Sequence, residues 1–183
     1  MARRTHIAAA FLFSAWAAAG CSPLREYGAG ELTCRREIKF EDKNSREWRQ
    51  IRSAEWIQEG AGFWQVSSLR NYITQGKMAM TVKSSEDISP LYADHVRFII
   101  DMEFTDNQQV VVSFANPWLH KSGILWAAKE TPPNMDEELG AWRALCERYF
   151  EDYRLYIESA KPNKNFDAKV REAPNTEWVV NSI

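Results

Sequence analysis

The chain has 183 residues, with 23 Lys and Arg against 25 Asp and Glu, and a formal net charge of −2 at pH 7. This length suits one domain with a substantial core and is short for two. Basic residues form no block, and phosphate binding needs clustered Lys and Arg, so the composition argues against nucleic acid as a partner.

The first 20 residues have the order of a secretory signal peptide. Arg3 and Arg4 precede an uncharged, mostly apolar run from Ile7 to Ala19, which ends in small residues. The run is too short to span a bilayer as a helix. We therefore predict that residues 1–20 are an export signal and leave them out of the fold.

Two cleavage sites are compatible with the end of this signal. Ala17-Ala18-Ala19 fits ordinary signal peptidase, which would release the protein near Gly20. Ala18-Ala19-Gly20-Cys21 instead resembles the lipobox of bacterial lipoproteins, whose cysteine receives diacylglycerol and becomes the mature N-terminus. The resemblance implies lipidation of Cys21, with Ala18 standing where Leu is usual.

The cysteine count favours lipidation. If Cys21 is acylated, Cys34 and Cys146 remain as an even pair in an oxidising compartment, whereas an unmodified Cys21 would leave an odd thiol. By resemblance to the lipoprotein sorting pattern, Ser22 implies the outer membrane, with the protein facing the periplasm. Each buried methylene contributes about 0.8 kcal/mol, so several acyl chains would hold the protein at the membrane.

Residues 21–31 contain Pro23, Gly28 and Gly30 and show no apolar periodicity, so we interpret them as a tether. The remaining residues, 32–183, are predicted to form a single domain.

Alternation of apolar and polar side chains predicts the strands of this domain. The alternation is clearest from Val96 to Thr105 and from Val110 to Phe114, and Asn116-Pro117 is expected to end the second strand. Further strands are predicted at Leu32–Phe40, Phe63–Ile73, Met78–Lys83 and Ile124–Ala128, while Ser45–Gln58 fits a helix or a strand and Trp178–Val180 fits an edge strand or a segment packed over a helix.

A long amphipathic helix is predicted from Asn134 to Ser159. Asn134 is a capping residue and Glu137 stands three residues later, as in a capping box. Apolar side chains then recur at helical spacing. Strands followed by a segregated helix are typical of the α+β class. We expect an antiparallel meander of about four to six strands with this helix across one face.

Cys34 falls on the inward side of the first predicted strand, and Cys146 on the inward stripe of the helix. We predict a disulfide between them, which would join the start of the domain to its last large element. The alternative is two buried free thiols.

No catalytic or metal-binding motif is present in the sequence. His95 and His120 have no spacing typical of zinc ligands, so we predict no metal and no cofactor and interpret them as solvated or structural, at a strand start and in a loop. Ser122, near His120, is the best remnant of a serine nucleophile but lacks the usual motif. Asp101 and Glu103 project from the polar face of a strand and could act as a carboxylate pair only if burial raised one pKa. We therefore predict a protein that is not an enzyme.

Two aromatic features are candidate contact surfaces. Trp118, expected in a loop, is a candidate platform for stacking on sugars. Tyr149, Tyr153 and Tyr156 share one stripe of the predicted helix and form a candidate partner surface, because Tyr is favoured at interfaces. Simple packing of the helix on the sheet is the alternative for the tyrosines.

These features predict a membrane-anchored periplasmic lipoprotein with a non-catalytic protein-binding domain. A concrete form is an immunity-type protein that neutralises a toxin acting in the envelope. Two alternatives stay open: an accessory subunit of an envelope secretion or assembly complex, and a glycan- or peptidoglycan-binding protein that uses Trp118 and the sheet carboxylates.

Overall fold

The structure is a computed structural model of the chain. It describes residues 24–41, 43–57, 64–72, 75–85, 91, 93–105, 108–122, 128–159 and 175–179. The predicted signal peptide 1–20 and Cys21 lie outside these ranges. The elements are β1 (Cys34–Lys39), α1 (Arg46–Glu55), β2 (Trp64–Tyr72), β3 (Lys77–Ser84), β4 (His95–Phe104), β5 (Gln109–Lys121), β6 (Lys129–Thr131), α2 (Asp136–Ser159) and β7 (Asn175–Val179).

The strands form one antiparallel sheet with the order β1-β5-β4-β3-β2-β7. Strands β2 to β5 follow one another as a meander, and β6 pairs with the edge of β5 beyond β1. The predicted α+β class is confirmed, and the short edge strands β6 and β7 bring the sheet to seven strands in the described part. The predicted strand Ile124–Ala128 lies outside the described residues except for Ala128.

Both helices pack on the same face of the sheet. In β4 the even-numbered residues from Val96 to Phe104 are at most 4 % exposed, and the odd-numbered residues face the other way. The same alternation runs through β3 and the first half of β5. The largest fully buried rings come from the sheet and from α2: Trp142, Tyr153, Phe98, Phe114 and Phe150.

The segment Ser45–Gln58, whose periodicity fits both a helix and a strand, contains helix α1. The Ser45 hydroxyl caps it by accepting the Trp48 backbone N–H at 3.1 Å. Trp48 is buried, and so is Gln50, whose amide donates to Asn71 Oδ1 at 2.5 Å and to the Lys77 carbonyl at 3.0 Å. These bonds attach α1 to β2 and β3.

Helix α2 begins at Asp136, two residues later than predicted. The Glu138 carboxylate reaches back to the preceding loop, where its Oε2 accepts the Asn134 backbone N–H at 2.9 Å. Glu138 is fully buried, and its other oxygen accepts from the Lys121 ammonium of β5. The backbone N–H of the predicted capping residue is thus bonded by Glu138, whose carboxylate faces the sheet.

Strand β5 continues through Asn116 and Pro117, where the sequence predicts a break. Both residues stand opposite Phe98 alone, which makes a β-bulge. Asn116 adopts a left-handed backbone with φ 52°, which Asn tolerates, and a proline is acceptable where the ladder is already interrupted. The alternation consequently changes phase, so that Phe114 is buried before the bulge and Leu119 after it.

Part of the predicted tether is attached to the domain. The Arg25 backbone N–H donates to the Asn134 carbonyl at 2.8 Å, and the Tyr27 hydroxyl donates to Asp136 Oδ1 at 2.6 Å. These contacts shorten the predicted spacer 21–31 at its domain end.

Candidate functional site

The candidate functional surface is the face of the sheet opposite the helices, which we call the open face. None of the described helices packs on it. Register places its side chains in rows that cross the strands. Two rows near the β4–β5 turn consist of Arg35, Ser113, Asp101, Ala79 and Arg70, and of Glu37, Val111, Glu103, Lys77 and Tyr72.

These two rows surround a cleft of about 400 Å³. Its lining includes the cations Arg35 and Lys77 on the flanking strands and the carboxylates Asp101 and Glu103 on β4 between them. Val111 supplies an apolar part of the floor. The cleft therefore presents both signs of charge around an apolar patch, an arrangement suited to a partner with its own mixed surface.

Asp101 differs from an ordinary solvated carboxyl although its side chain is exposed. The neighbouring strands remove water from around it, and this desolvation raises its pKa. Its partners across the strands are Ser113 and Ala79, so no carboxylate faces it directly in the ladder. A raised pKa on one carboxyl is one condition for carboxylate-pair chemistry. The other carboxylate of the predicted pair, Glu103, stands two residues along the same strand.

A second group occupies the other end of the open face. His95 of β4, His120 of β5 and Glu130 of β6 are consecutive partners in one register row. The two imidazole rings stack with centroids 4.3 Å apart and an interplanar angle of 12°. Potential ligand atoms of all three residues lie within 4.8 Å of one another. We call these residues the histidine row.

The surroundings of the histidine row favour the uncharged form of His95. Burial lowers the pKa of His95, and the positive charge of Lys83 and a charged His120 lower it further. Glu130 is ion-paired with Arg97 at 2.8 Å, through its Oε2 only.

Ser122 lies beside the histidine row, but its hydroxyl donates to the Asp94 carboxylate. The Ser122 backbone N–H also donates to Asp94 at 2.9 Å, and the two bonds lower the Asp94 pKa. Asp94 in turn donates its backbone N–H to the His120 carbonyl at 2.8 Å. Ser122 therefore connects the end of β5 to the start of β4 through Asp94. Its hydroxyl is bonded to a carboxylate, which is not the arrangement of a serine nucleophile with a histidine base.

Trp118 lies in strand β5 and not in a loop, and 42 % of it is exposed. The bulge at Asn116 places it on the open face, where its register partner on β4 is Arg97. Trp118 is thus in the row adjacent to the histidine row. Its role in stacking on a sugar stays a prediction.

The tyrosine stripe of α2 is not a surface. Tyr149 and Tyr153 are buried, and their hydroxyls hydrogen-bond to Ser84 at 3.0 Å and Ser53 at 2.8 Å. Tyr156 is half-buried and carries the Arg52 guanidinium over its ring at 4.7 Å. The partner surface predicted for these residues is corrected to core packing, on the opposite side of the sheet from Trp118.

The predicted disulfide is present and joins β1 to α2. Cys34 and Cys146 are bonded, with their Cα atoms 6.3 Å apart. The predicted lipidation site, Cys21, lies outside the described residues. Within the described ranges, no helix combines the length and apolarity needed to cross a membrane.

Sequence reasoning missed the histidine row. His95 and His120 are 25 positions apart in the chain, and Glu130 is ten further on. They become neighbours only through the pairing of three strands, and the bulge at Asn116 sets the face on which His120 lies. Extending β5 past Pro117 in the regular register of the β4–β5 hairpin would have paired His95 with Leu119, so the one-residue bulge also had to be known before the two histidines could be paired.

Comparison with known proteins supports the fold and assigns no family. No protein-family model matches the chain, and a comparison with curated proteins found no significant match. The chain is similar to the crystal structure of a TBP-like protein from Parabacteroides distasonis, with a TM-score of 0.51 and 13% identity over 70% of this chain and 94% of that one. A DUF4468 family protein from Bacteroides ovatus has a TM-score of 0.48 and 12% identity over 76% of this chain and 92% of that one. The first likeness shows the fold alone.

Proposed function

We propose that the protein is a lipid-anchored, non-catalytic binding protein of the bacterial cell envelope, and that its open face binds a partner protein. The observation that carries this proposal is the cleft of about 400 Å³ on the open face, where Arg35 and Lys77 flank Asp101 and Glu103 around an apolar floor. Specific interfaces have this composition: an apolar centre, a polar rim and complementary charge.

The predicted export signal and the disulfide support a location in the envelope. Disulfides persist in oxidising compartments such as the periplasm and are rare in the cytosol. A lipid on Cys21 would hold the domain at the outer membrane, where it would meet proteins that enter the envelope. An immunity-type protein, which neutralises a toxin there, needs this address and a binding face and no catalytic residues.

An accessory role in an envelope secretion or assembly complex would use the same face, and the genes beside this one would separate the two forms. A glycan ligand is the second candidate, favoured by the exposed Trp118 in the row next to the histidine row. A flat aromatic ring on an open face is a suitable platform for a sugar.

Site-specific photo-crosslinking in intact cells tests the protein-binding proposal. We would place a photoreactive residue at Val111, in the cleft, and as a matched control at Asp152, on the solvent side of α2. We expect a discrete protein adduct from Val111 alone, and its loss when Arg35 and Lys77 are both replaced by Glu. Equal adducts from both positions, or none from Val111, would contradict the proposal.

Two further measurements test the lipid anchor and the class of ligand separately. Replacement of Cys21 by Ser should release the protein from the membrane fraction without changing the Val111 adduct partner in vitro. Sedimentation with purified peptidoglycan that depends on Trp118, tested with Trp118→Ala, would favour the glycan candidate over the protein candidate.

A further inference from the structure

The histidine row contains the donor set of a transition-metal site. Two imidazoles and one carboxylate are the ligands found in catalytic zinc sites with one coordination position left open. Here they come from three adjacent strands at one register position, so the backbone ladder fixes their Cα atoms. We propose that His95, His120 and Glu130 bind a divalent transition-metal ion of the zinc class. This inference does not depend on the proposed function.

The geometry requires only side-chain adjustment. Candidate ligand atoms lie within 4.8 Å of one another. Any two nitrogen ligands of one tetrahedral zinc ion are about 3.4 Å apart, given Zn–N distances of about 2.0–2.1 Å. Rotation of the two imidazoles about their side-chain bonds would close this difference. The stacked arrangement of the rings would then be lost on binding.

Two neighbouring residues affect metal binding by the histidine row: Asp94 positions its backbone, and Arg97 competes with a metal ion for Glu130. Asp94 fixes the backbone at the end of the row, because its carboxylate accepts from Ser122 and its backbone N–H donates to the His120 carbonyl. Arg97 opposes the metal, because its guanidinium occupies Glu130 Oε2 at 2.8 Å and adds a positive charge. Removing that guanidinium should therefore strengthen metal binding.

Isothermal titration calorimetry with Zn²⁺ tests the site in the full-length protein, purified in detergent from whole cells so that both an anchored and an unanchored form are recovered. We expect one saturable site per chain whose affinity falls about tenfold or more in His120→Ala and in Glu130→Gln. Glu158→Gln, a carboxamide change on the far side of α2, is the matched control and should leave the affinity unchanged.

The decisive variant is Arg97→Gln, which we expect to bind Zn²⁺ more tightly than the unaltered protein. A gain of affinity in a variant whose circular dichroism matches that of the unaltered protein does not come from misfolding, so this result remains informative if His120→Ala fails to fold. In NMR spectra, the imidazole signals of His95 and His120 should shift together as Zn²⁺ is added. The proposal is overturned if no saturable binding occurs, or if His120→Ala and the unaltered protein bind equally.

Discussion

Cys34 on β1 and Cys146 on α2 are 112 positions apart in the sequence and are joined by a disulfide across the sheet–helix interface. This bond closes most of the described domain into one covalent loop. In the chain-entropy model a loop of about 100 residues stabilises the folded state by about 4.7 kcal/mol, with native disulfides typically contributing about 2–5 kcal/mol.

We therefore expect the double variant Cys34→Ala/Cys146→Ala to unfold at a lower guanidinium concentration, with a loss of about 2–5 kcal/mol in unfolding free energy. Chemical denaturation followed by tryptophan fluorescence measures it. A reducing agent should lower the midpoint of the unaltered protein and leave that of the double variant unchanged. Alkylation of both thiols without reductant would contradict the disulfide.

Glu138 stabilises the start of α2, and this role can be separated from that of an exposed acid in the same helix. Its carboxylate accepts from the Asn134 N–H and from Lys121 while fully buried. Bonds to charged groups contribute about 1.5–3 kcal/mol, so Glu138→Ala should lower the unfolding free energy by about that amount. Asp152→Ala, at an exposed position of α2, should change it by less than about 0.5 kcal/mol. Equal losses in chemical denaturation would contradict this role of Glu138.

Gly76 precedes β3 in the connection between β2 and β3, which pair as antiparallel neighbours. Its φ is 61°, and an added Cβ would lie 2.6 Å from the Phe104 carbonyl oxygen. Gly76→Ala should therefore destabilise by more than about 1 kcal/mol. Gly140, inside α2, has no atom within 4 Å of an added Cβ, so Gly140→Ala should stabilise by about 0.5–1 kcal/mol. Thermal unfolding should show midpoint shifts of opposite sign, and shifts of the same sign would refute the prediction.

Tyr27 reports whether the N-terminal segment is docked. The hydrogen bond to Asp136 raises the pKa of Tyr27 from 10.0 to about 12. Because the folded pKa lies above the unfolded one, this stabilisation is complete below pH 10 and is lost as the pH rises toward 12. Absorbance of tyrosinate at high pH should show the titration of Tyr27 shifted to lower pH in Asp136→Ala, which removes the acceptor. An unchanged titration would mean that the segment is not held by this contact.

Much of the architecture could be predicted because one face of each main strand is buried. Alternation located β4 to within a residue, and amphipathic spacing located α2 to within two residues of its start. Arg36 interrupts the otherwise apolar side of β1. Its guanidinium pairs with Glu147 and Glu151 of α2 and packs over the Phe150 ring, 4.7 Å from its centroid. A long charged side chain can cover apolar surface while its end remains paired.

The candidate site could not be predicted to the same degree, because it depends on which residues of separate strands become neighbours. Asp101 and Glu103 were identifiable in the sequence, but Arg35 and Lys77 join them only through the order β1-β5-β4-β3. The tyrosines Tyr149 and Tyr153 were offered as surface because helical spacing alone does not say how wide the buried stripe is. Both α1 and α2 pack on one face of the sheet, so α2 buries a wider stripe than it would if it were the one helix there.

The bulge at Asn116 has a consequence for how this surface can change during evolution. Two residues, Asn116 and Pro117, stand opposite Phe98, so a deletion of Asn116 would leave Pro117 opposite Phe98 and Trp118 opposite Arg97 as before. Trp118 and His120 would keep their places on the open face, and Leu119 would stay buried. The loss of one codon is thus tolerable to this surface at Asn116, whereas the same loss at a regularly paired position such as Val112 would shift the pairing by one residue and exchange the faces of the side chains beyond it.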